Sequence, residues 1–280
     1  MPLPRCLSHS PISLLLPLLA AASAGAQAST TAADHGALVV VGGGRIGPEI
    51  LGRFLELAGG KDAPIVVIPT AGEDSVYRQD CPCARLFRDA GATDITILHT
   101  KNPKVAESDS FVAPIRRARA VWFPGGRQWR LADSYLGTKT ERELHALLAR
   151  GGVIGGTSAG ATIQGSYLVR GAPEGNTIMM SPGHERGFAF LRNVAVDQHV
   201  LARNRLADLP TVLAVHRELL GIGIDEGTAI VVRRDTAEVI GVSKVFIYGG
   251  RDASDSAKVY RTLKAGDRYD LVGRKLISRH

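Results

Sequence analysis

The chain has 280 residues, of which 45% are apolar, and its 34 basic and 27 acidic side chains give a formal net charge of +7. This length is enough to bury a sizeable core, and 32 glycines with only 5% aromatic residues suit an α/β protein with tight turns. Because the lysines and arginines are scattered rather than grouped in a stripe with aromatic residues, nucleic acid is not expected as a partner.

The first 28 residues predict a cleaved secretory signal. Arg5 precedes an apolar run over residues 12–22, and alanines within residues 24–28 offer an A-x-A cleavage site. An uncleaved anchor helix is disfavoured because the apolar run is short and interrupted by proline. We therefore expect a signal peptide at residues 1–28, a single α/β domain at residues 29–280, a secreted or periplasmic location, and no membrane span.

Apolar runs alternate with helical patterns along the mature chain. The predicted strands lie at residues 36–44, 63–72, 94–100, 118–126 and 152–160. The predicted helices lie at residues 48–60, 84–90 and 141–152. This alternation predicts a mostly parallel sheet with helices on both faces. Further along, alternating residues with a turn signal predict a hairpin within residues 218–241.

A glycine-rich turn follows the first strand. Gly42, Gly44 and Gly47 fit the spacing G-x-G-x-x-G, which is typical of dinucleotide-binding turns. The acid expected at the end of a second strand is missing, because Asp62 follows Gly60 in a turn. We interpret the motif as a plain strand–helix turn and expect no cofactor.

Two cysteines remain in the mature chain. Cys81 and Cys83 are one residue apart, which is too close for an ordinary disulfide. No other thiol or histidine lies at a spacing suited to a metal ion. The expectation is therefore two thiols in a loop or at the start of a helix, and no metal site.

A serine stands at the tightest point of a second glycine-rich turn. Gly156, Ser158 and Gly160 fit the pattern G-x-S-x-G after an apolar strand. A nucleophile at the peak of a strand–turn–helix elbow brings the residues two positions to either side into close contact, so both must be nearly free of side chain. The pattern indicates either a nucleophilic serine or a small-residue turn with an incidental hydroxyl.

Polar groups also follow two other predicted strands. One strand ends in a Gly-Gly turn that includes Gly126, and Gln128 comes just beyond it. Another leads into Asp197, Gln198 and His199. A histidine at the end of a buried strand is either a hydrogen-bonded core residue or a catalytic base.

Charged residues accompany this histidine and a later strand. A predicted helix after His199 carries Arg203 and Arg205. Asp225 and Glu226 interrupt an otherwise apolar run, which is costly unless the two carboxylates have partners.

Together, GGxQ, GTSAGA, DQH with spaced arginines, and IDE resemble, in this order, the serine peptidase family of cyanophycinases and alpha-aspartyl dipeptidases. The resemblance covers nearly the whole mature chain. It implies an α/β fold that is flavodoxin-like and similar to class I glutamine amidotransferases, with a nucleophile elbow at the carboxyl edge of the sheet. It also implies a reaction that needs no metal or cofactor.

The resemblance assigns roles to particular positions. It implies Ser158 as nucleophile, His199 as general base and Glu226 as the acid that orients the histidine, with the backbone N–H groups of Gly126 and Ala159 as the oxyanion site. Its implied substrate contacts are Gln128, Asp197, Gln198, Arg203 and Arg205.

Some positions compete with these assignments or depart from the family pattern. His184 and Glu185 are a rival base and acid, although they lie in a glycine-proline loop. Arg127 stands where the family often has an acid, and Asp208 where it often has a third basic residue, so both bear on specificity. On a helix Arg203 would lie on the face of His199, and Asp208 would be free to meet a substrate guanidinium.

The resemblance implies a secreted exopeptidase that cleaves cyanophycin, an aspartate polymer with arginine on each side chain, into β-Asp-Arg dipeptides. Two alternatives are an alpha-aspartyl or isoaspartyl dipeptidase and a non-catalytic binding protein with this fold. The expected partner is therefore a peptide or cyanophycin substrate. A homodimer is the oligomeric state that the resemblance suggests.

Overall fold

The computed structural model describes residues 1–3, 35–250 and 259–279. The predicted signal peptide lies outside these residues except for its first three positions. No helix in the described ranges is long and apolar enough to cross a membrane.

The structure contains strands and helices in alternation up to residue 157 and mostly strands after it. The strands are β1 (Ala37–Val41), β2 (Ile65–Val67), β3 (Ile95–Ile97), β4 (Ala120–Phe123), β5 (Val153–Thr157), β6 (Gly165–Tyr167), β7 (Leu191–Gln198), β8 (Leu220–Ile224), β9 (Thr228–Arg233), β10 (Thr236–Gly241), β11 (Lys244–Tyr248), β12 (Tyr260–Lys264), β13 (Arg268–Asp270) and β14 (Lys275–Ser278). The α-helices are α1 (Pro48–Ala58), α2 (Arg85–Asp89), α3 (Pro103–Ala106), α4 (Asp109–Arg117), α5 (Gln128–Tyr135), α6 (Lys139–Ala149), α7 (Ala159–Thr162) and α8 (Asp208–Val215).

The larger sheet has nine strands in the order β14-β13-β10-β9-β1-β5-β4-β2-β3. Its half from β1 to β3 is parallel, and its half from β9 to β14 is antiparallel. The predicted hairpin is present as β9 and β10, joined at Arg234 and Asp235. The predicted α/β fold class is confirmed.

Alternate residues of β1 pack on opposite faces of this sheet. Leu38 and Val40 join a core that includes residues of α4, α5 and α6. Val39 and Val41 join a second core with residues of α1 and α2. Every residue of β1 is buried, as expected for a strand covered by helices on both sides.

A second sheet, which the sequence analysis did not predict, packs beside the first. It has five strands in the order β12-β11-β8-β7-β6. The pairs β6–β7 and β7–β8 are parallel, whereas β8–β11 and β11–β12 are antiparallel. The chain passes from the second sheet back to the first between β8 and β9, at Asp225, Glu226 and Gly227.

Five strand ends define one edge of the molecule. In the first sheet, Val41 pairs with Thr157, and Phe123 pairs with Gly156, at the ends of β1, β4 and β5. In the second sheet, Gln198 pairs with Ile224 at the ends of β7 and β8. The segments after these five ends are the glycine-rich and polar motifs of the sequence.

Candidate active site

Ser158 lies in a strained turn between β5 and α7. Its backbone has φ 56° and ψ −113°, outside the regions that L-residues usually occupy. A Cβ added at Gly156 would lie 2.3 Å from the carbonyl oxygen of Gly160, and one added at Gly160 would lie 2.0 Å from that of Phe123. The two glycines therefore provide the close contact that the elbow requires, and Ser158 remains half-buried at its peak.

His199 directly follows β7 and faces this serine. Its Nε2 lies 2.9 Å from Ser158 Oγ, and its side chain is 8% exposed. The backbone again has a positive φ of 55°, and its N–H donates to the carbonyl of Gly42.

Glu226 completes a hydrogen-bond chain with these two residues. Its Oε1 lies 2.5 Å from Nδ1 of His199. This contact assigns the proton of a neutral imidazole to Nδ1, so that Nε2 is free to accept from the hydroxyl of Ser158. We call these three residues the serine–histidine–glutamate chain.

Asp225, the neighbouring acid, makes different contacts. Its carboxylate accepts hydrogen bonds from the backbone N–H groups of Leu201 and Ala202 at 2.9 and 3.1 Å and from the hydroxyl of Ser243 at 2.6 Å. These partners explain how two acids can interrupt an apolar strand. Asp225 fastens the turn that follows His199, whereas Glu226 contacts the ring itself.

The surroundings of His199 favour its neutral form. Burial lowers the pKa of His199, the hydrogen bond to Glu226 opposes this, and the positive charge of Arg203 lowers the pKa further. The imidazole is therefore unprotonated, and able to take a proton, over a wider acidic range than a solvent-exposed histidine.

The two predicted oxyanion donors, the N–H groups of Gly126 and Ala159, belong to segments that adjoin Ser158. A Cβ added at Gly125 would lie 3.3 Å from Cβ of Ser158, which places the Gly125-Gly126 turn against the serine. Ala159 is the next residue in the chain. Among the described residues, no backbone carbonyl accepts a hydrogen bond from the N–H of Gly126 or Ala159. Both predicted donors are thus available to an oxyanion, although their role stays a prediction.

Four of the predicted substrate contacts are buried and engaged within the protein. Gln128 is 1% exposed and donates to the carbonyl of Val169 at 2.8 Å. Arg205 donates to both the backbone and side-chain oxygens of Gln198 at 3.0 and 3.1 Å. Asp197 has no exposed surface. The structure does not place these four side chains at an open surface, and their contact with substrate stays a prediction.

A residue that the sequence analysis overlooked organises this region. Arg170, 2% exposed, donates from Nε and Nη2 to the carboxylate of Asp197 at 3.0 and 3.2 Å, and also donates to Asp208. We call Arg170, Asp197, Asp208, Gln198 and Arg205 the buried arginine cluster. The available signal was a single arginine after the apolar stretch of residues 167–169. Asp208 accepts from Arg170 and keeps about a third of its side chain exposed, so its contact with a substrate guanidinium stays a prediction.

The helix predicted directly after His199 is wrong. The N–H of Arg203 donates to His199, and that of Arg205 to Val200, but Asn204 has a φ of 53° and the chain forms turns until α8 begins. The left-handed backbone of Asn204 ends this single turn, whose first two amides donate to the carboxylate of Asp225. Arg203 nevertheless remains one turn beyond His199 and is exposed, as its predicted role requires.

His184 and Glu185, the rival base and acid, contact other residues and not Ser158. His184 Nε2 is 3.4 Å from Asp133, and Glu185 accepts from the hydroxyl of Tyr167 at 2.7 Å. Arg127, the first departure from the family pattern, donates to the carbonyl of Ala172 at 2.7 Å and ties the Gly125-Gly126 turn to the neighbouring loop.

The cysteine prediction is wrong. Cys81 and Cys83 form a disulfide, with their Cα atoms 5.2 Å apart. The backbone turn at Pro82 brings the two side chains together despite their separation of two positions. Within residues 35–250 and 259–279, no group of three or more histidine, cysteine or acidic side chains is arranged to hold a metal ion.

Comparison with known proteins agrees with the fold and the motifs. The model of peptidase family S51 matches residues 38–240. A cyanophycinase from Geminocystis herdmanii (strain PCC 6308) is 34% identical over 227 residues, covering 78% of this chain and 82% of the relative. A cyanophycinase from Synechococcus elongatus is 34% identical over 219 residues, covering 74% of this chain and 65% of the relative. A solved peptidase from an acI-B1 Actinobacterium superposes with a TM-score of 0.66 at 25% identity, over 86% of this chain and 98% of that one.

The fold and these relatives define a serine-type peptidase, a hydrolase. The chain belongs to peptidase family S51, and the predicted resemblance to cyanophycinases and aspartyl dipeptidases is confirmed at the level of the family.

Proposed function

We propose that the protein is a secreted exopeptidase of the cyanophycinase type, in which Ser158 is the nucleophile, His199 the general base and Glu226 the orienting acid. The observation that carries the assignment is the serine–histidine–glutamate chain, with contacts of 2.9 and 2.5 Å, in a member of a serine peptidase family. Nucleophile, base and orienting group in hydrogen-bond sequence are what such catalysis requires.

In the first half of the reaction, Ser158 Oγ attacks the carbonyl carbon of the scissile amide while His199 Nε2 takes its proton. The imidazolium then gives this proton to the leaving nitrogen, the C–N bond breaks, and an acyl-serine remains. Glu226 stabilises the imidazolium through Nδ1–H. In the second half, water attacks the acyl carbon and gives a proton to Nε2. The C–Oγ bond then breaks, Nε2 returns the proton to Oγ of Ser158, and the product leaves with a new carboxyl group.

The tetrahedral intermediates carry a negative oxygen that needs hydrogen-bond donors. The N–H groups of Gly126 and Ala159 supply them. One donor of this kind typically lowers the barrier by about 2.7–4 kcal/mol.

Recognition of the substrate depends on the attraction between a positively charged side chain of the protein and a substrate carboxylate. Arg203 is exposed one turn beyond His199, and its guanidinium suits a carboxylate of an aspartyl substrate. The relatives named cyanophycinases support cyanophycin as the polymer from which β-Asp-Arg dipeptides are released.

One observation favours a second candidate, an alpha-aspartyl or isoaspartyl dipeptidase. Asp208 is already paired with Arg170, which partly neutralises its charge toward a substrate arginine. A site with a weakened acidic contact for arginine suits small aspartyl peptides.

Location and assembly complete the proposal. The predicted signal over residues 1–28 supports export, and the family resemblance supports a homodimer. N-terminal sequencing of the protein recovered from the periplasm or medium tests the first, and light scattering tests the second.

The test of function is incubation of the full-length chain, expressed so that it is exported, with purified cyanophycin and with α- and β-aspartyl dipeptides. Mass spectrometry then identifies the soluble products. Release of β-Asp-Arg supports the cyanophycinase proposal, whereas cleavage of dipeptides alone supports the second candidate. Ser158→Ala is the matched control. A wild-type protein that neither cleaves these substrates nor reacts with a covalent serine probe would show a binding protein instead.

A further inference from the structure

The glycine-rich turn after β1 contacts every member of the serine–histidine–glutamate chain. Three consecutive carbonyl groups accept hydrogen bonds there: Val41 from the N–H of Ser158 at 3.0 Å, Gly42 from that of His199 at 2.8 Å, and Gly43 from that of Gly227 at 3.0 Å. Gly227 directly follows Glu226. One short segment thus holds the backbone at all three positions, which come from different parts of the sequence.

The same segment also lies against the reactive side chains. A Cβ added at Gly43 would lie 2.2 Å from Cε1 of the His199 ring and 2.6 Å from each of its nitrogens. A Cβ added at Gly44 would lie 2.7 Å from Oε2 of Glu226. Separations this short exclude any side chain, so the imidazole and the carboxylate occupy the space that these two glycines leave free.

A plain strand–helix turn does not explain these contacts. The last glycine of the motif, Gly47, has nothing within 4 Å of an added Cβ, and its φ of −73° is accessible to any residue. The need for glycine is therefore confined to the part of the turn that faces the serine–histidine–glutamate chain.

We propose that residues 41–44 are the positioning segment of the active site, with Gly43 setting the place of the His199 ring and Gly44 that of the Glu226 carboxylate. The inference rests on the proposed function, because it concerns the residues assigned there as base and orienting acid. The carbonyl groups fix the three backbones, and the missing side chains let the ring lie between Ser158 Oγ and Glu226 Oε1. These glycines act through His199 and Glu226 and do not touch the substrate.

The test is Gly43→Ala compared with Gly60→Ala. Both positions have a strongly positive φ, +117° and +110°, so alanine strains the backbone similarly at each, but Gly60 has nothing within 4 Å of the added Cβ. A displaced base slows the chemical step, so Gly43→Ala should lower kcat about 100-fold with little change in KM. Gly60→Ala should keep the wild-type kcat, although its Tm should fall by about as much as that of Gly43→Ala. Equal kcat in the two variants would overturn the proposal.

A second pair covers the outcome in which Gly43→Ala fails to fold. Gly44 and Gly137 have φ values of +66° and +75°, close to a region that alanine tolerates better, and only Gly44 has neighbours for the added Cβ. Gly44→Ala should lower kcat and shift the acidic limb of the pH–rate profile, because Glu226 would be displaced from Nδ1. Gly137→Ala should change neither kcat nor the pH–rate profile. An unshifted acidic limb in Gly44→Ala would contradict the positioning role of residues 41–44.

A readout that does not depend on activity separates this inference from the proposed function. The proton on Nδ1 of His199, held by Glu226, should give a low-field resonance in the NMR spectrum. We expect Gly43→Ala to move or abolish this resonance and Gly60→Ala to preserve it. If the wild type cleaves nothing but the resonance responds in this way, the proposed function fails and the positioning segment stands. If the wild type is an active peptidase and the resonance is the same in both variants, the positioning segment fails alone.

Discussion

The serine–histidine–glutamate chain and the buried arginine cluster meet at the end of β7, yet their chemistry is opposite. Asp197 is wholly buried and bound by Arg170, whereas His199, two residues later, presents Nε2 to a half-buried serine. In the cluster the charged groups are paired within the protein. In the chain, Ser158 and His199 have strained backbones beside unused N–H groups. The difference shows that one short motif, residues 197–199, can combine a residue that stabilises the fold, Asp197, with one that contacts the candidate nucleophile, His199.

The largest effect on activity is expected from substitutions in the serine–histidine–glutamate chain. Ser158→Ala should lower kcat by about 10⁶-fold, because the nucleophile and base act as a unit. His199→Ala should lose a similar amount, and the double variant little more. Steady-state kinetics and thermal denaturation measure the two effects. Retention of a tenth of the activity in Ser158→Ala would remove the serine from its proposed role.

The two adjacent acids offer a sharper version of the same contrast. Glu226→Gln should lower kcat by about 10⁴-fold with little change in KM, because the amide keeps a hydrogen-bonding group but not the charge that stabilises the imidazolium. Asp225→Asn should reduce kcat less, because this acid fastens the turn after His199 and does not touch the ring. Comparison of kcat for the two variants checks the assignment, and a larger loss in Asp225→Asn would reverse it.

In the buried arginine cluster the expected loss is stability. Arg170→Met leaves Asp197 buried without its main partner, and breaking a buried ion pair in this way typically costs about 3–5 kcal/mol. Denaturant unfolding measures the free energy of unfolding. Adding Asp197→Leu should recover part of the loss by removing the stranded charge. Wild-type stability in Arg170→Met would mean that Arg170 does not compensate the buried charge of Asp197.

Arg203 belongs neither to the serine–histidine–glutamate chain nor to the buried arginine cluster, and its removal should have the smallest effect. Arg203→Ala should weaken kcat/KM for substrates with a free aspartyl carboxylate by about 1.5–3 kcal/mol, the range for a charged hydrogen bond. It should also move the acidic limb of the pH–rate profile to higher pH. The positive charge of Arg203 lowers the pKa of His199, so its loss raises that pKa and the base becomes protonated at a higher pH.

Two variants serve as controls for this prediction. Arg85→Ala removes an exposed arginine from α2 and should leave both kcat/KM and the pH limb unchanged. Arg205→Ala should cost less in kcat/KM than Arg203→Ala, since Arg205 binds Gln198 inside the protein. Equal losses for Arg85→Ala and Arg203→Ala would make Arg203 an ordinary solvated side chain.

Local patterns in the sequence predicted the first half of the fold and marked Ser158 as a candidate nucleophile. The apolar run of residues 37–41 and the helix that begins at Pro48 carry strong local signals. Close contact between residues of the elbow requires its two glycines, so the pattern marked Ser158, but it left open whether the hydroxyl is a nucleophile or incidental. The roles of His199 and Glu226 came from motif order and not from any calculation of distance.

What the sequence did not reveal depends on contacts between distant residues. The turn after His199 is held by Asp225, which lies 24 positions beyond Leu201 and accepts a hydrogen bond from its amide. Arg170 finds Asp197 only once β6 and β7 are assembled. The role of Gly43 could not be seen without the ring of His199 beside it. Interactions of this kind leave no local periodicity.

The central position of β1 has a consequence for the order in which the protein folds. This first strand lies between β5 and β9, so Val41 pairs with Thr157 and Ala229, which are synthesised much later. Pairings so distant in the sequence make folding slow, because the entropy cost of closing a long loop comes before any stabilising contact forms. Until the ribosome has passed Gly227, the nascent polypeptide lacks both its complete central sheet and the contacts that residues 41–43 make with Ser158, His199 and Gly227. The serine–histidine–glutamate chain therefore assembles only after most of the polypeptide has been made.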